Sequence, residues 1–524
     1  MFTRISPPTE SSRLRVMVAA LAFSVAPHLL GAVTVSPIFS DHMVLQRGMP
    51  VPVWGNAADG EKVTVTYGGK SVTAVTLNGE WTVRLPAMKA NAVGADLKIH
   101  GSSDIELHDV VVGEVWVCSG QSNMEWPLRA SYDSGADIQN SANPNLRVFQ
   151  VTKRKSFTPK TDLDYAKHAW AVASPDSVRD FSAVGYYFGR DLAADLKVPV
   201  GIIHTSWGGS PAEAWMSMGT LRRNHVYNRD ILDTASRERR NYELSLAAWR
   251  KEKAETEAKG EKFTKYQPWP PWSPAELYNG MLLPIAPYGI KGAIWYQGES
   301  NAGRAWQYRN LFADMITDWR KVWQQGDFPF YAVQLAPWDK GRKRSLQEIT
   351  AKPGDSDWAE LRESQNHVAR TLKNVKTAVI TDVGDKDDIH PTKKLPVGHR
   401  LALLAEKNLY GLKVIDHGPD LGDVSFQGKE LRLRFDNVGN GLKTLDGGAP
   451  TGFAVAGADG VYQWADAKII NKNELILTSA AVPEPKTVRY GWADFPVVNL
   501  ANSADLPASP FRTDNAVWTT SIIR

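Results

Sequence analysis

The sequence predicts an α/β protein: a three-layer α/β/α domain with a mostly parallel sheet, flanked by N- and C-terminal β-sandwich-like domains. Three observations predict it. From about Val111, short apolar strands alternate with helical stretches, which implies parallel strands joined by crossovers. Before that point and again after residue 411, apolar and polar side chains alternate between Gly-, Asn- and Asp-containing turns, as in half-buried strands. The chain has 524 residues, too many for one ordinary core. The expected division is 1–32 as a signal peptide, 33–110 as the first β domain, 111–411 as the α/β domain and 412–524 as the second β domain.

The N-terminus carries an export pattern. Arg13 and Arg15 precede an apolar run from Val16 to Leu30, which Pro27 and His28 interrupt, and Gly31 and Ala32 supply small residues for cleavage. The run is too short for a comfortable membrane span, so an uncleaved anchor is the lesser alternative. The expected location is periplasmic or secreted, with no membrane attachment after cleavage. Cys118 is the single cysteine, so no intrachain disulfide forms, and a chain of this size folds without one. The composition is 43% hydrophobic and 23% charged with a net charge of +4, which suggests a globular protein without a nucleic-acid partner. The nineteen tryptophans suit core packing or aromatic platforms against sugar faces.

In the first β domain, VPVWG, EKVTVTYGG and ADLKIHG supply strands, and Asn78-Gly79 is a hairpin turn signal. In the α/β domain, strands are expected over 114–119, 200–205, 293–296, 330–335 and 377–381. Helices are expected over 181–196, where Val184, Phe188, Leu192 and Leu196 recur at spacing four, over 305–323 through Leu311, Met315 and Trp319, and over 397–410. A charged helical excursion, SRERRNYELSLAAWRKEKAETEAKGEKF, ends at PWPPW (268–272), a stiff aromatic loop that either rims a cleft or packs on a helix. GKELRLRFDNV, FAVAG, NELILTS and KTVRYGW are strands of the second β domain.

Four segments place small and polar residues at expected strand ends, where open α/β sheets form their sites. They are Gly120-Gln121-Ser122-Asn123, HTSWGGSPAEAW (204–215), IWYQGESNA (294–302) and TDVGDKDDIHP (381–391). A serine hydroxyl is a poor nucleophile until an imidazole takes its proton, and the imidazole needs a carboxylate to fix its tautomer. Ser122 and His390 supply the first two. Asp387, three residues before His390, can fold back onto the ring; Asp388 lies two before it. A developing oxyanion would find donors in the N–H of Gly208 or Gly209 and in the amide of Gln297 or Asn301. Each segment alone has a plainer reading: a helix cap at Ser122, solvated acids or a calcium site near His390, a solvated loop acid at Glu299, which is otherwise a buried acid orienting the site. Cys118 and Ser119 are rival nucleophiles, but both precede Gly120 on a strand whose side chains should be buried. Together the segments point to acyl transfer.

SGQSNMEWPL, SWGGSPAEAWMS, IWYQGESNA and DDIHP resemble the blocks of the sialate O-acetylesterase family of the SGNH hydrolase superfamily, and LQRGMPVPVWGNAADGEKVTV and NLANSADLPASPFRTDN resemble its flanking regions. The resemblance covers nearly the whole mature chain. It implies an SGNH-type fold and a serine esterase, without metal or other cofactor, that removes acetyl groups from saccharides. By position it implies Ser122 as nucleophile, His390 as base, Asp387 as orienting acid, and Gly208 with Gln297, ahead of Asn301, around the oxyanion. It implies 9-O-acetyl sialic acid as substrate, or an acetylated plant polysaccharide such as xyloglucan. A sialic acid carboxylate would want a cation, for which Arg129 and Arg304 stand near the blocks. A non-catalytic carbohydrate-binding protein is the alternative of another class.

Overall fold

The computed structural model describes residues 32–164, 169–427 and 429–521, so the expected signal peptide lies outside the described residues apart from Ala32. Seven strands form the central sheet. Their order is Ala171–Ala173, Asn143–Gln150, Val200–Ser206, Asp104–Gly120, Gly292–Tyr296, Phe330–Val333 and Val375–Ala378. Neighbours run parallel except for the first pair, which is antiparallel.

Side chains on a strand point alternately to opposite faces, and here both faces are covered. Val115 and Val117 enter one core with Leu311, Met315 and Trp319 of the helix Ala305–Trp323 and Leu361 of the helix Asp357–Thr371. Trp116 and Cys118 enter the other with Phe188 and Leu192 of the helix Ala183–Leu196 and Leu401 and Leu404 of the helix Leu395–Asn408. Strands buried on both faces read as continuous apolar runs, which is why they were visible in the sequence.

The strand expected over 114–119 is the second half of a 17-residue strand, Asp104–Gly120. Its first half pairs antiparallel with Asn91–His100 and parallel with Val44–Gln46 in the sheet of the first β domain. Its second half lies between Val200–Ser206 and Gly292–Tyr296. The expected division between residues 110 and 111 therefore falls inside one strand, just past a bulge at Asp109, whose φ is 53°. The last two strands stop earlier than expected, at Val333 and Ala378. Asn143–Gln150 was not anticipated; Pro144, which cannot donate to a ladder, precedes Leu146, the first residue paired with Val200.

The charged excursion is the helix Asp233–Ala258, which buries no residue and so has no apolar stripe to read. Asn78 and Gly79 have φ of 54° and 78° and close the Leu77–Glu80 bridge, as their turn chemistry requires. In the second β domain two four-stranded sheets share a core of Leu431, Leu433, Phe435, Leu475, Val455, Val488 and Tyr490. Among the described residues, no helix is long and apolar enough to cross a membrane.

The strand Asp104–Gly120 ends at a position only glycine can hold. Gly120 has φ of 142°, and a Cβ there would lie 2.2 Å from the Tyr296 carbonyl oxygen. Gly120→Ala should therefore cost roughly 2 kcal/mol or more of stability. The urea midpoint of the variant should fall with an unchanged slope; an unshifted midpoint would show that the turn relaxes freely.

Candidate active site

The turn at Gly120 lifts Ser122 clear of the sheet at the carboxyl ends of the strands. Gln121 fixes the turn: its N–H donates to the Tyr296 carbonyl at 3.0 Å, and its side-chain oxygen accepts from the N–H groups of Gly298 and Ser300 at 3.4 and 3.3 Å. Ser122 then meets His390, whose Nε2 lies 2.8 Å from Ser122 Oγ. The first and fourth segments, 268 residues apart, thus converge on one hydrogen bond.

The acid beside His390 differs from the expected one. Asp388 Oδ1 lies 3.5 Å from His390 Nδ1 and accepts the His390 backbone N–H at 2.8 Å. Asp387 turns outward onto Lys386 at 2.6 Å. The loop is tighter than an extended reading allows: the Asp385 carboxylate accepts the N–H groups of Asp387 and Asp388, which curls the chain and brings residue i−2 to the ring. The Asp388 side chain is 60% exposed, so water screens its field. Burial holds the His390 imidazolium below its ordinary pKa, with Asp388 opposing and Lys394 adding to the depression.

Gly208 stands against Ser122. A Cβ on Gly208 would lie 3.3 Å from Ser122 Cβ, whereas one on Gly209 would meet only Trp272, at 3.7 Å. The Gly208 N–H donates to Glu125 Oε2 at 2.6 Å, and Glu125 is paired with Lys153. A carboxylate therefore occupies the donor expected to face an oxyanion.

Neither expected amide donor faces Ser122. Gln297 is fully buried; its Nε2 donates to the Ser210 carbonyl at 3.3 Å and to Asn301 Oδ1 at 2.6 Å, and its Oε1 accepts from the Tyr308 hydroxyl at 3.0 Å. Asn301 accepts the Ala212 N–H at 3.0 Å and donates to Glu213 at 3.0 Å. Burial demands such pairing, and both amides serve to lash the second segment to the third.

Sequence reasoning missed the network behind the serine. Asn123 Nδ2 donates to Glu299 Oε1 at 2.6 Å and to the Ile389 carbonyl at 3.0 Å, and its Oδ1 accepts from Lys394 Nζ at 2.5 Å. Lys394 is buried, lies 5.5 Å from the Trp126 ring centroid, and has its pKa pushed down to about 7 by burial. Burial pushes the Glu299 carboxyl up, and Glu299 Oε2 has no partner. Trp126 stacks on His390, with centroids 5.6 Å apart. Nothing in the sequence separates buried Lys394 from exposed Lys393.

The rival nucleophiles are out of reach. Cys118 is fully buried against Met124 and Ser182, and burial pushes its thiol pKa up to about 12; Ser119 is likewise buried. Arg129 is paired with Asp180, and Arg304 with Glu213 at 2.5 Å. Among the acids of the fourth segment, Asp382 is held by Arg400 and Asp387 by Lys386, so they do not converge on a common point. A larger cleft of about 1540 Å³ lies at the opposite strand ends, beside Glu114, Lys291 and Pro329.

Comparison with known proteins agrees on one family. A family model described as "Carbohydrate esterase, sialic acid-specific acetylesterase" matches residues 112–267 and 257–406. The sialate O-acetylesterase of Rattus norvegicus is 28% identical over 523 residues, covering 90% of this chain and 92% of its own length. That of Homo sapiens is 28% identical over 412 residues, covering 71% and 70%. The crystal structure of a carbohydrate acetylesterase from Xanthomonas citri superposes with a TM-score of 0.77 at 37% identity, covering 92% of this chain and all of that one.

The charges around His390 should be readable by NMR titration of its ring. Its pKa should lie below 6.5. Asp388→Asn should lower it further by removing an attractive charge, Lys394→Met should raise it by removing a repulsive one, and Asp387→Asn should move it least. A larger shift from Asp387→Asn than from Asp388→Asn would reverse the assignment of the neighbouring acid.

Proposed function

The chain belongs to the carbohydrate esterase family of sialic acid-specific acetylesterases, and from that premise we propose that Ser122 and His390 hydrolyse acetyl esters on saccharides through an acetyl-enzyme. As a member it is a carboxylic-ester hydrolase acting on acetylated carbohydrate. The observation that carries the mechanism is the 2.8 Å contact between Ser122 Oγ and His390 Nε2 at the mouth of the sheet.

In this reading His390 takes the Ser122 proton as the oxygen attacks the acetyl carbonyl. The oxyanion is held by the N–H groups of Gly208 and Ser122, after Glu125 has released the first. His390 then gives its proton to the departing sugar oxygen, water attacks the acetyl-enzyme by the same route, and acetate leaves. Asp388, in place of Asp387, orients the imidazole. Gln297 and Asn301 act as ties between segments instead of oxyanion donors. The fold reading that goes with this is an SGNH-type α/β/α domain over 111–411 between β domains at 33–110 and 412–524; helices on both faces of the sheet support it. The Arg-rich start and apolar run at the N-terminus support a periplasmic or secreted location.

Ser122→Ala should abolish turnover of 4-nitrophenyl acetate while circular dichroism stays unchanged, and Cys118→Ala should keep it. Because the base must be neutral and its pKa is depressed, kcat/KM should rise with pH through an ionisation below 6.5 and be near its plateau at neutral pH. Asp388→Asn should lose more of kcat than Asp387→Asn, yet less than the roughly ten-thousand-fold loss of a buried triad acid, since Asp388 is exposed. Dialysis against a chelator should leave the rate unchanged. A folded wild-type protein that releases no acetate from any ester would turn the reading toward a carbohydrate-binding protein.

A further inference from the structure

The second β domain holds a pocket of its own, of about 180 Å³, closed on one side by Pro353, Gly354 and Asp355. Its floor follows from strand register. In the sheet that contains Phe453–Ala456, Trp464 and Arg489 are the partners of Ala454 on either side. Side chains opposite one another in register share a face, and Phe453, Val455, Val488 and Tyr490 take the core face. Trp464, Ala454 and Arg489 therefore stand in one row on the outer face. Neighbouring strands lie about 4.8 Å apart, so a lone methyl separates two long side chains whose strands are roughly 10 Å apart. That row is the trough of the pocket.

The walls are fixed, and their hydrogen-bonding groups are not all engaged. The Trp464 ring is 37% exposed and is pinned by its N–H, which donates to the Thr350 carbonyl at 2.8 Å. Arg489 is buried, with its guanidinium 4.1 Å from the Tyr462 ring centroid. Its Nε and Nη2 donate to Asp514 at 2.8 and 3.1 Å, and its Nη1 donates to Asp355 at 3.1 Å. A guanidinium carries five N–H groups, so each terminal nitrogen keeps one. Asp355 is exposed, and its second carboxylate oxygen accepts from no described residue. The hydrolysis of the ester uses none of these residues.

We propose that this pocket is a second, non-catalytic saccharide site, which takes a single pyranose ring through Trp464, Arg489 and Asp355. A cavity of about 150 Å³ takes benzene, so the trough has room for one six-membered ring. Trp464 offers an apolar face to the C–H groups of that ring. Asp355 accepts from one hydroxyl, and Arg489 donates to its neighbour. The purpose of the site, to keep an acetylated polymer on the enzyme between hydrolyses, rests on the esterase reading; the binding itself does not.

The test titrates the full chain carrying Ser122→Ala with the methyl pyranosides of glucose, galactose and xylose, and with cyclohexanol, by saturation-transfer NMR. At least one pyranoside should bind with a Kd on the order of 1 mM, which about a dozen non-hydrogen atoms allow. Cyclohexanol, a six-membered ring with a lone hydroxyl, should bind roughly fivefold more weakly, the value of one hydrogen bond. Adding Asp355→Ala should weaken the pyranoside by a similar factor. Trp464→Ala should weaken it more, with Trp464→Phe, which keeps a ring, in between, and circular dichroism should match the parent in each. Absence of binding by all three pyranosides, equal affinity for cyclohexanol, or affinity unchanged by Trp464→Ala or by Asp355→Ala would overturn the site. Acetate release by the wild type on an acetylated polysaccharide is measured separately: pyranoside binding without release would sink the esterase reading and leave this site standing.

Discussion

Asn123 holds three loops at once, and the geometry of the site depends on it. Its amide reaches the acid of the third segment and the backbone of the fourth, and its carbonyl takes the ammonium of Lys394. Because Asn123 follows Ser122 and Ile389 precedes His390, that one side chain sets the distance between Ser122 and His390. Buried amides are rarely left unpaired, so movement of either loop would break hydrogen bonds that no water replaces.

The same network places a cation and an acid under the serine without a direct ion pair. Lys394 and Glu299 share Asn123 as a bridge, and each is pulled toward its neutral form by burial. Separated charges in a poorly hydrated interior are costly, and sites that carry them are generally functional. Lys394 also helps keep the His390 imidazole unprotonated, as a base requires. At the opposite side of Ser122, Glu125 presents a carboxylate to the Gly208 N–H.

Much of this is legible in the sequence. Strands buried on both faces announce themselves as apolar runs, and Gly120, Ser122, Gly208 and His390 stood out because small and polar residues followed those runs directly. The rest was hidden for physical reasons. Asp387 and Asp388 differ by one position on a loop, and only the turn closed by the Asp385 carboxylate decides which reaches the ring. Gln297 and Asn301 carry donors wherever they stand; what they donate to is set by tertiary packing. The strand Asn143–Gln150 lost its signature to Pro144.

The strand Asp104–Gly120 joins the two sheets with one irregularity, a bulge at Asp109, whose φ is 53° and where the pairing with Asn91–His100 shifts register. Beyond that bulge, one end is clamped in the register of the first β sheet, Val44 facing Val111, and the other in the register of the central sheet, Ser119 facing Thr205. A strand advances about 3.3 Å per residue, so a slip of one position at the accessory end would carry Ser122 further than the length of its bond to His390. The accessory sheet is thus a ruler laid against the central one, and Ser122 is the mark at its end.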